Sequence, residues 1–154
     1  QVLTCLKYRD ALHKWDIVAI DNMCHADVAR VMRESKIFLS FGYPEGFSLP
    51  PAEAMACGCI VIGYHGMGGR EFFKDDFSFP IELGDIIGFA QAIEHVSALF
   101  DTYENEALAK GRDAARFIAS TYTANAQQKE IIDFWTMATS LKYDGLPTLQ
   151  RKDA

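Results

Sequence analysis

The feature that most constrains the fold is a regular alternation of short apolar runs with segments of helical spacing. Apolar runs rich in β-branched side chains lie at 16–20, 36–40 and 59–63. Such continuous runs are typical of strands that are covered on both faces, as in a parallel sheet. Residues 26–34 and 51–57, which separate the runs, have the spacing or the boundary residues of helices. This order predicts an α/β fold with a doubly wound, Rossmann-like parallel sheet.

The second half of the chain is predicted to be mainly helical. A shorter apolar patch at 77–83 is followed by apolar residues at helical spacing through 85–101. Two further helices are predicted, one around 107–118 and the other beginning near Thr123. We therefore expect extra carboxyl-terminal helices after the sheet.

The sequence begins abruptly for a doubly wound domain. One predicted strand precedes the helix at Ala26, whereas such domains usually have two or more strands before that point. With 154 residues the chain is long enough for one domain but too short for two of similar size. We expect residues 1–140 to form the carboxyl-terminal part of one domain that lacks its first strands, with residues 141–154 as a tail.

Charge and hydrophobicity argue against several classes of protein. The 15 Lys and Arg residues and 21 Asp and Glu residues give a net charge of −6. No long basic run offers a surface to nucleic acid. No apolar stretch approaches the ~20 residues of a membrane-spanning helix, and no signal-peptide pattern opens the sequence. We predict a cytoplasmic protein without a nucleic-acid partner.

The cysteines and histidines form no recognisable metal motif. Cys5, Cys24, Cys57 and Cys59 lack paired CxxC spacing, and the four histidines are scattered. We expect reduced, mostly buried thiols, no metal site and no cofactor. The two cysteines that flank Gly58 fit the end of a helix and the start of a strand better than a redox or metal pair.

The segment YPEGFSLPPAEAMACG at 43–58 carries the chemistry, because it follows one predicted strand and runs into a helix. Pro50 and Pro51 suit a helix start, and amides at a helix N-terminus favour an anion such as a diphosphate. The amides expected to be free are those of Gly46, Phe47, Ser48, Ala52, Glu53 and Ala54. Glu53, expected in the first turn, can offer its carboxylate to the vicinal hydroxyls of a ribose. Glu45 would face the other end of the same ligand.

Two glutamates eight positions apart in this setting resemble the E-x7-E motif of the family-4 glycosyltransferases, also called glycosyl transferases group 1. These are retaining enzymes of the GT-B architecture, and EGFSLPPAEAMACG at 45–58 is similar to the family almost residue for residue. The resemblance implies that Glu45 is catalytic and contacts the donor sugar, and that Glu53 binds the ribose. It also implies that backbone amides of Gly46, Phe47 and Ser48 meet the donor and that Leu49 packs near the nucleotide.

The loop after the next predicted strand, YHGMGGRE at 64–71, is similar to the small-residue loop of the same family that ends in Gly-Gly-x-x-Glu. One residue is missing here before Glu71. We therefore assign Gly68 and Gly69 to the donor cleft and treat Glu71 as a helix-start acid. A plain tight turn is the alternative interpretation of the two glycines.

The resemblance implies transfer of a sugar from a nucleotide-diphosphate sugar to an acceptor, with retention and without a protein-bound metal, in polysaccharide or glycan biosynthesis. The acceptor, a glycan, a lipid or a small molecule, would bind an amino-terminal domain that this sequence lacks. The chain alone would then be an incomplete enzyme. Peripheral association of the full-length protein with the inner face of the membrane stays open. The alternative function is a non-catalytic α/β module that binds a nucleotide or a protein partner.

Overall fold

The computed structural model describes residues 1–140, so the predicted tail at 141–154 lies outside the described residues. The chain divides into two compact units, Gln1–Ser120 and the residues from Thr121 onward. In chain order the described elements are α1 (Val2–Tyr8), α2 (His25–Glu34), β1 (Ile37–Phe41), α3 (Leu49–Ala56), β2 (Ile60–Tyr64), a 3₁₀ turn (Gly68–Glu71), β3 (Ser78–Ile81), α4 (Ile86–Thr102), α5 (Glu104–Thr121) and α6 (Ala124–Ser140). The sheet belongs to the first unit and α6 to the second.

The sheet has three parallel strands in the order β1-β2-β3. Phe38 pairs with Val61, and Val61 pairs with Ser78. The strands predicted at 36–40 and 59–63 are confirmed with a shift of one residue. The central strand β2 is almost entirely buried, as its continuous apolar run predicts. The chain thus has the predicted α/β fold, with an open parallel sheet consistent with part of a Rossmann-like domain.

Helices cover both faces of the sheet. Because successive side chains of a strand point to opposite faces, Val61 lies in one buried cluster and Ile60 and Ile62 lie in another. The first cluster includes apolar residues of α2, α3 and α5, and the second includes residues of α1, α4 and the start of α5. Burial of these side chains stabilises the fold. Helices therefore cover both faces of the sheet. Ligands of such sheets bind at the ends of the strands.

The prediction of a strand at 16–20 is wrong. These residues have no strand partner in the part of the chain that the structure describes, and Ile17 and Val18 are 49% and 55% exposed. A strand needs a neighbouring backbone to bond its N–H and C=O groups, and β-branched composition does not supply one. The preceding residues are instead attached to α4, where Trp15 Nε1 donates to Ser97 Oγ at 2.8 Å.

The sequence pattern predicts no element near the amino terminus, where the structure has α1. An isolated helix of seven residues is marginal in water, so its stability comes from packing. Leu6 is fully buried in the same cluster as residues of α4. Just beyond the helix, Arg9 donates two hydrogen bonds to Glu94, with lengths of 2.6 and 2.9 Å. These long-range contacts cannot be seen in a local pattern.

The remaining predicted helices are confirmed with shifted ends. α3 begins at Leu49, two residues before its predicted start. α4 follows Asp85, whose carboxylate accepts a hydrogen bond from the Gly88 N–H at 2.8 Å. At the start of α6, Thr123 Oγ1 accepts from the Ala126 N–H at 3.0 Å. No helix of residues 1–140 is both long and apolar enough to cross a membrane.

Candidate functional site

The candidate site lies where β1 and β2 end at their carboxyl side. The loop at 42–48 joins β1 to α3, and the loop at 65–67 joins β2 to the 3₁₀ turn. Because the strands are parallel and adjacent, both loops emerge at the same edge of the sheet. Ligands of open α/β sheets bind at this edge. The fold therefore brings together the two segments that the sequence singles out.

The Glu45 carboxylate is held by the residue that precedes α3. Ser48 is 1% exposed, and its hydroxyl donates to Glu45 Oε1 at 2.6 Å. A serine at this position usually accepts a hydrogen bond from the backbone of its own helix. Here it makes no such bond and fixes the carboxylate instead. One oxygen of an exposed glutamate is thus anchored beside a helix N-terminus.

The start of α3 at Leu49 changes the expected surroundings of Glu53. Pro50 and Pro51 occupy the second and third positions of the helix, and Glu53 is its fifth residue. Glu53 therefore lies in the second turn, and its predicted place in the first turn is wrong. Only the first four amides of a helix lack a partner within it. The amides of Glu53 and Ala54 are the fifth and sixth of the helix, so the expectation that they are free is wrong, whereas Ala52 is the fourth.

The available groups at this position include two backbone amides and one carboxylate. No hydrogen bond within residues 1–140 engages the amides of Gly46 and Ser48. The Glu53 side chain is exposed and has no ion pair or hydrogen bond in the described part of the chain. Amides beside a helix N-terminus favour an anion, whereas a free carboxylate favours a hydroxyl. The two kinds of group suit different parts of one ligand.

Backbone hydrogen bonds fasten the two loops to each other. The Glu45 N–H donates to the Gly66 carbonyl at 2.8 Å, and the Gly68 N–H donates to the Glu45 carbonyl at 3.2 Å. Gly68 lies so close to Gly46 that a Cβ at position 68 would be 1.5 Å from the Gly46 carbonyl oxygen. Only glycine permits this approach. The structure thus explains Gly68 by contact between the loops.

Gly69 also takes part in closing the second loop. Its N–H donates to the His65 carbonyl at 2.8 Å, and a Cβ there would be 3.1 Å from the Phe73 ring. Glu71 ends the 3₁₀ turn with an exposed side chain. The amides of Gly68 and Gly69 are therefore engaged within the protein. Their contact with a donor stays a prediction.

A cavity of about 170 Å³ lies at the same edge. It is lined by Gly42, Pro44, Tyr64, His65, Gly66, Met67, Arg70, Ile81, Glu82 and Leu83. Arg70 brings a permanent positive charge to the cavity, with Nη2 3.8 Å from Glu82 Oε2. The sequence motifs indicate no role for either residue. Arg70 directly follows the glycine pair, and this position in the sequence could have identified it. Glu82 lies at the cavity only because the strand that it follows is adjacent to β2, which no local pattern indicates.

The thiols lie away from this chemistry. All four cysteines are free, but only Cys59 is buried, so the expectation of mostly buried thiols is wrong. Burial, and secondly the neighbouring Cys57, raises the pKa of Cys59 to about 12. A thiol that keeps its proton is a poor nucleophile and metal ligand. Within residues 1–140, no group of three or more His, Cys, Asp or Glu side chains is placed to hold a metal ion.

Two comparisons with known proteins bear on this arrangement. The model of the family described as glycosyl transferases group 1 matches residues 11–115, which include all three strands and both loops. The chain is also 30% identical over 122 residues to a protein of Actinobacillus pleuropneumoniae serotype 7 (strain AP76) named alpha-1,6-glucosyltransferase. That match covers 77% of the chain and 36% of the relative. The chain therefore spans little more than a third of the length of this relative.

Proposed function

Because the chain belongs to the group 1 glycosyltransferases, we propose that its sheet edge binds a nucleotide-diphosphate sugar and forms the donor side of a retaining sugar transfer. The observation that carries the proposal is the fixed position of Glu45. Its carboxylate is bound by Ser48 and its backbone by Gly66 and Gly68. A site that must stabilise a short-lived transition state gains from groups that are placed before the ligand arrives.

Each group at this edge has a proposed role toward the donor. Glu45 contacts the sugar and acts catalytically, while the amides of Gly46, Phe47 and Ser48 face the sugar and its diphosphate. The free carboxylate of Glu53 accepts hydrogen bonds from the ribose hydroxyls. Leu49, which is 60% exposed, offers an apolar contact to the nucleotide. Gly68 and Gly69 border the donor through the loop that they close.

The relative suggests which donor to test first. Its name specifies transfer of glucose, so we propose a glucosyl nucleotide as donor and a glycan, lipid or small molecule as acceptor. The chain matches only part of that relative, and we propose that a second domain of a GT-B enzyme binds the acceptor. The cavity beside Arg70 then faces the transfer reaction from the donor side. A cytoplasmic location, with peripheral membrane association as the open alternative, accords with a nucleotide-sugar substrate.

Isothermal titration with UDP-, GDP- and ADP-glucose tests donor binding. We expect one of the three to bind, and Glu53→Ala to weaken it by about 1.5 to 3 kcal/mol through loss of a charge-assisted hydrogen bond. Glu106→Ala is the matched control, because Glu106 is an exposed acid at the start of another helix. The control should bind like the wild type.

Two results would count against the proposal. If no donor binds, or if both variants weaken binding equally, the Glu53 carboxylate is not a ribose ligand. Another set of binding results would favour the alternative function, a non-catalytic module that binds a nucleotide. In that case free nucleoside diphosphate would bind as tightly as the nucleotide sugar, and Glu45→Ala would change neither affinity nor transfer in the full-length protein.

A further inference from the structure

Met67 has an unusual backbone conformation in the loop after β2. Its φ is 65° and its ψ is −58°. The Gly68 N–H donates to the Gly66 carbonyl at 2.9 Å, which closes a three-residue γ-turn around Met67. The positive-φ form of this turn is rare and strained for a residue with a side chain. Such a conformation persists only where its surroundings hold it in place.

The imidazole of His65 provides that support. The Met67 N–H donates to His65 Nδ1 at 3.0 Å. His65 is 7% exposed, whereas Met67 is 60% exposed. The Met67 side chain therefore contributes little packing to its own conformation. The hydrogen bond to the buried ring restrains the Met67 N–H directly, while the Met67 carbonyl accepts from the Arg70 N–H at 3.2 Å.

The γ-turn provides both backbone groups that bind Glu45. The Gly66 carbonyl accepts a hydrogen bond from the Glu45 N–H. The Gly68 N–H makes a bifurcated hydrogen bond to the carbonyls of Gly66 and Glu45. Met67 lies between these two glycines, so its conformation sets the spacing of the two groups. A change at Met67 would displace the backbone partners of Glu45.

We propose that His65 is a positioning residue: its Nδ1 holds Met67 in the strained γ-turn, and the turn in turn fixes Glu45 at the donor site. The link from His65 to Glu45 depends on structure alone. Its importance for donor binding rests on the proposed function. The two parts can therefore be tested separately.

This role requires a neutral ring with its proton on Nε2. Nδ1 must be unprotonated to accept from the Met67 N–H, which leaves Nε2 as the donor. Nε2 lies 3.6 Å from Glu82 Oε1, an atom that can only accept. Arg70 Nε also approaches Nε2, at 3.4 Å. Since both of these nitrogens carry protons, we interpret the Arg70 approach as a packing contact and not as a hydrogen bond.

Two substitutions separate positioning from simple packing. In His65→Asn the amide oxygen can occupy the place of Nδ1, whereas in His65→Gln it reaches the place of Nε2. Asparagine is the smaller side chain and leaves the larger void. A packing role therefore makes His65→Asn the more damaging change, and the positioning role makes His65→Gln the more damaging change.

Hydrogen exchange of the Glu45 and Gly68 amides is the primary measurement in the full 154-residue chain. We expect His65→Gln to accelerate both amides by about tenfold or more, the scale of one lost buried hydrogen bond, and His65→Asn by less than about threefold. Met67→Gly serves as the second variant, because glycine adopts positive φ without strain. In the Met67→Gly background, the effect of His65→Gln should shrink to less than about threefold.

The outcomes are distinct. The proposal would be overturned if the Glu45 and Gly68 amides exchanged at the same rate in the two His65 variants. It would also be overturned if His65→Gln accelerated exchange as much in the Met67→Gly background as in the wild type. If His65→Gln fails to fold while His65→Asn folds, the proposal is supported, and the reverse result overturns it. Titration with glucosyl nucleotides completes the test. If the exchange rates change as expected but no glucosyl nucleotide binds, the positioning role of His65 stands and only the proposed function is contradicted.

Discussion

Glu45 and Glu53 are close in sequence, but the structure constrains them very differently. Glu45 has its carboxylate bound by Ser48 and its backbone bound on both sides. The Glu53 side chain extends from the second turn of α3 and has no ion pair or hydrogen bond among the described residues. A restrained group is suited to a reaction step, where orientation matters most. A free carboxylate is suited to binding that is equal in the ground and transition states.

This difference predicts separate kinetic effects in a full-length protein that transfers sugar. Glu45→Ala should lower kcat by about tenfold or more with little change in KM, because contacts made in the transition state determine kcat. Glu53→Ala should mainly raise KM, because the ribose is bound alike in both states. Initial rates over a range of donor concentrations measure both constants. Wild-type kinetics in both variants would contradict the assignment of the two glutamates.

Cys59 provides a prediction about stability that is independent of the ligand. Burial raises its pKa from 9.0 to about 12, so the native state keeps a proton that the unfolded chain loses. The free energy of unfolding should therefore fall as the pH rises from 9.0 toward 12. Urea denaturation at several pH values measures this fall, with Cys24→Ala as the exposed control. A fall that is as steep in Cys59→Ala as in the control would refute the prediction.

Residue patterns predicted the two glutamates but not their surroundings. Glu45, Gly46 and Glu53 occur in one short segment whose spacing is visible in the sequence. The γ-turn at Met67 is not visible, because methionine gives no local signal for positive φ. Glu82 comes from the end of another strand and reaches the cavity only through the fold. The surroundings of the two glutamates therefore depend on residues that are distant in the sequence.

At the level of elements, the contact between the two loops depends on Gly68. Gly68→Ala would place a Cβ 1.5 Å from the Gly46 carbonyl oxygen and force the loops apart. We expect a loss of about 1 to 3 kcal/mol in the free energy of unfolding, together with weaker donor binding. Gly46→Ala is the matched control, because a Cβ there meets nothing within 4 Å. Urea denaturation should find Gly68→Ala destabilised and Gly46→Ala close to wild type, and donor titration should find Gly68→Ala impaired.

The elements also show where local patterns are sufficient. The apolar runs at β1 and β2 are covered by helices on both faces of the sheet. Their continuous apolar composition is therefore the one that a strand buried on both faces requires. The run at 16–20 has similar composition but no adjacent strand in the described chain. The predicted start of α3 is two residues late, because Leu49 is a weaker signal for a helix start than the prolines that follow it. Pairing and exact boundaries depend on tertiary contacts.

For the whole molecule, we predict donor binding without efficient transfer by the 154-residue chain. The proposed acceptor side belongs to another domain, and orientation of two substrates can supply about 7 to 11 kcal/mol of the reduction in barrier height. The test is incubation of the purified chain with glucosyl nucleotides and candidate acceptors. Both transfer and slow hydrolysis of the donor are followed. Enzyme-like turnover that disappears in a Glu45→Ala, Glu53→Ala variant would contradict this prediction.

The central claim is that the sheet edge beside Glu45 binds the nucleotide sugar. Two-dimensional amide NMR spectra of the isotope-labelled chain, recorded during titration with UDP-, GDP- and ADP-glucose, test it most directly. One donor should shift the amides of Gly46, Ser48 and Gly66 in a saturable way. Lys36 and Gly58, at the amino ends of β1 and β2, should change little. Saturable shifts confined to residues away from the Glu45 loop, or no shifts with any of the three donors, would contradict the claim.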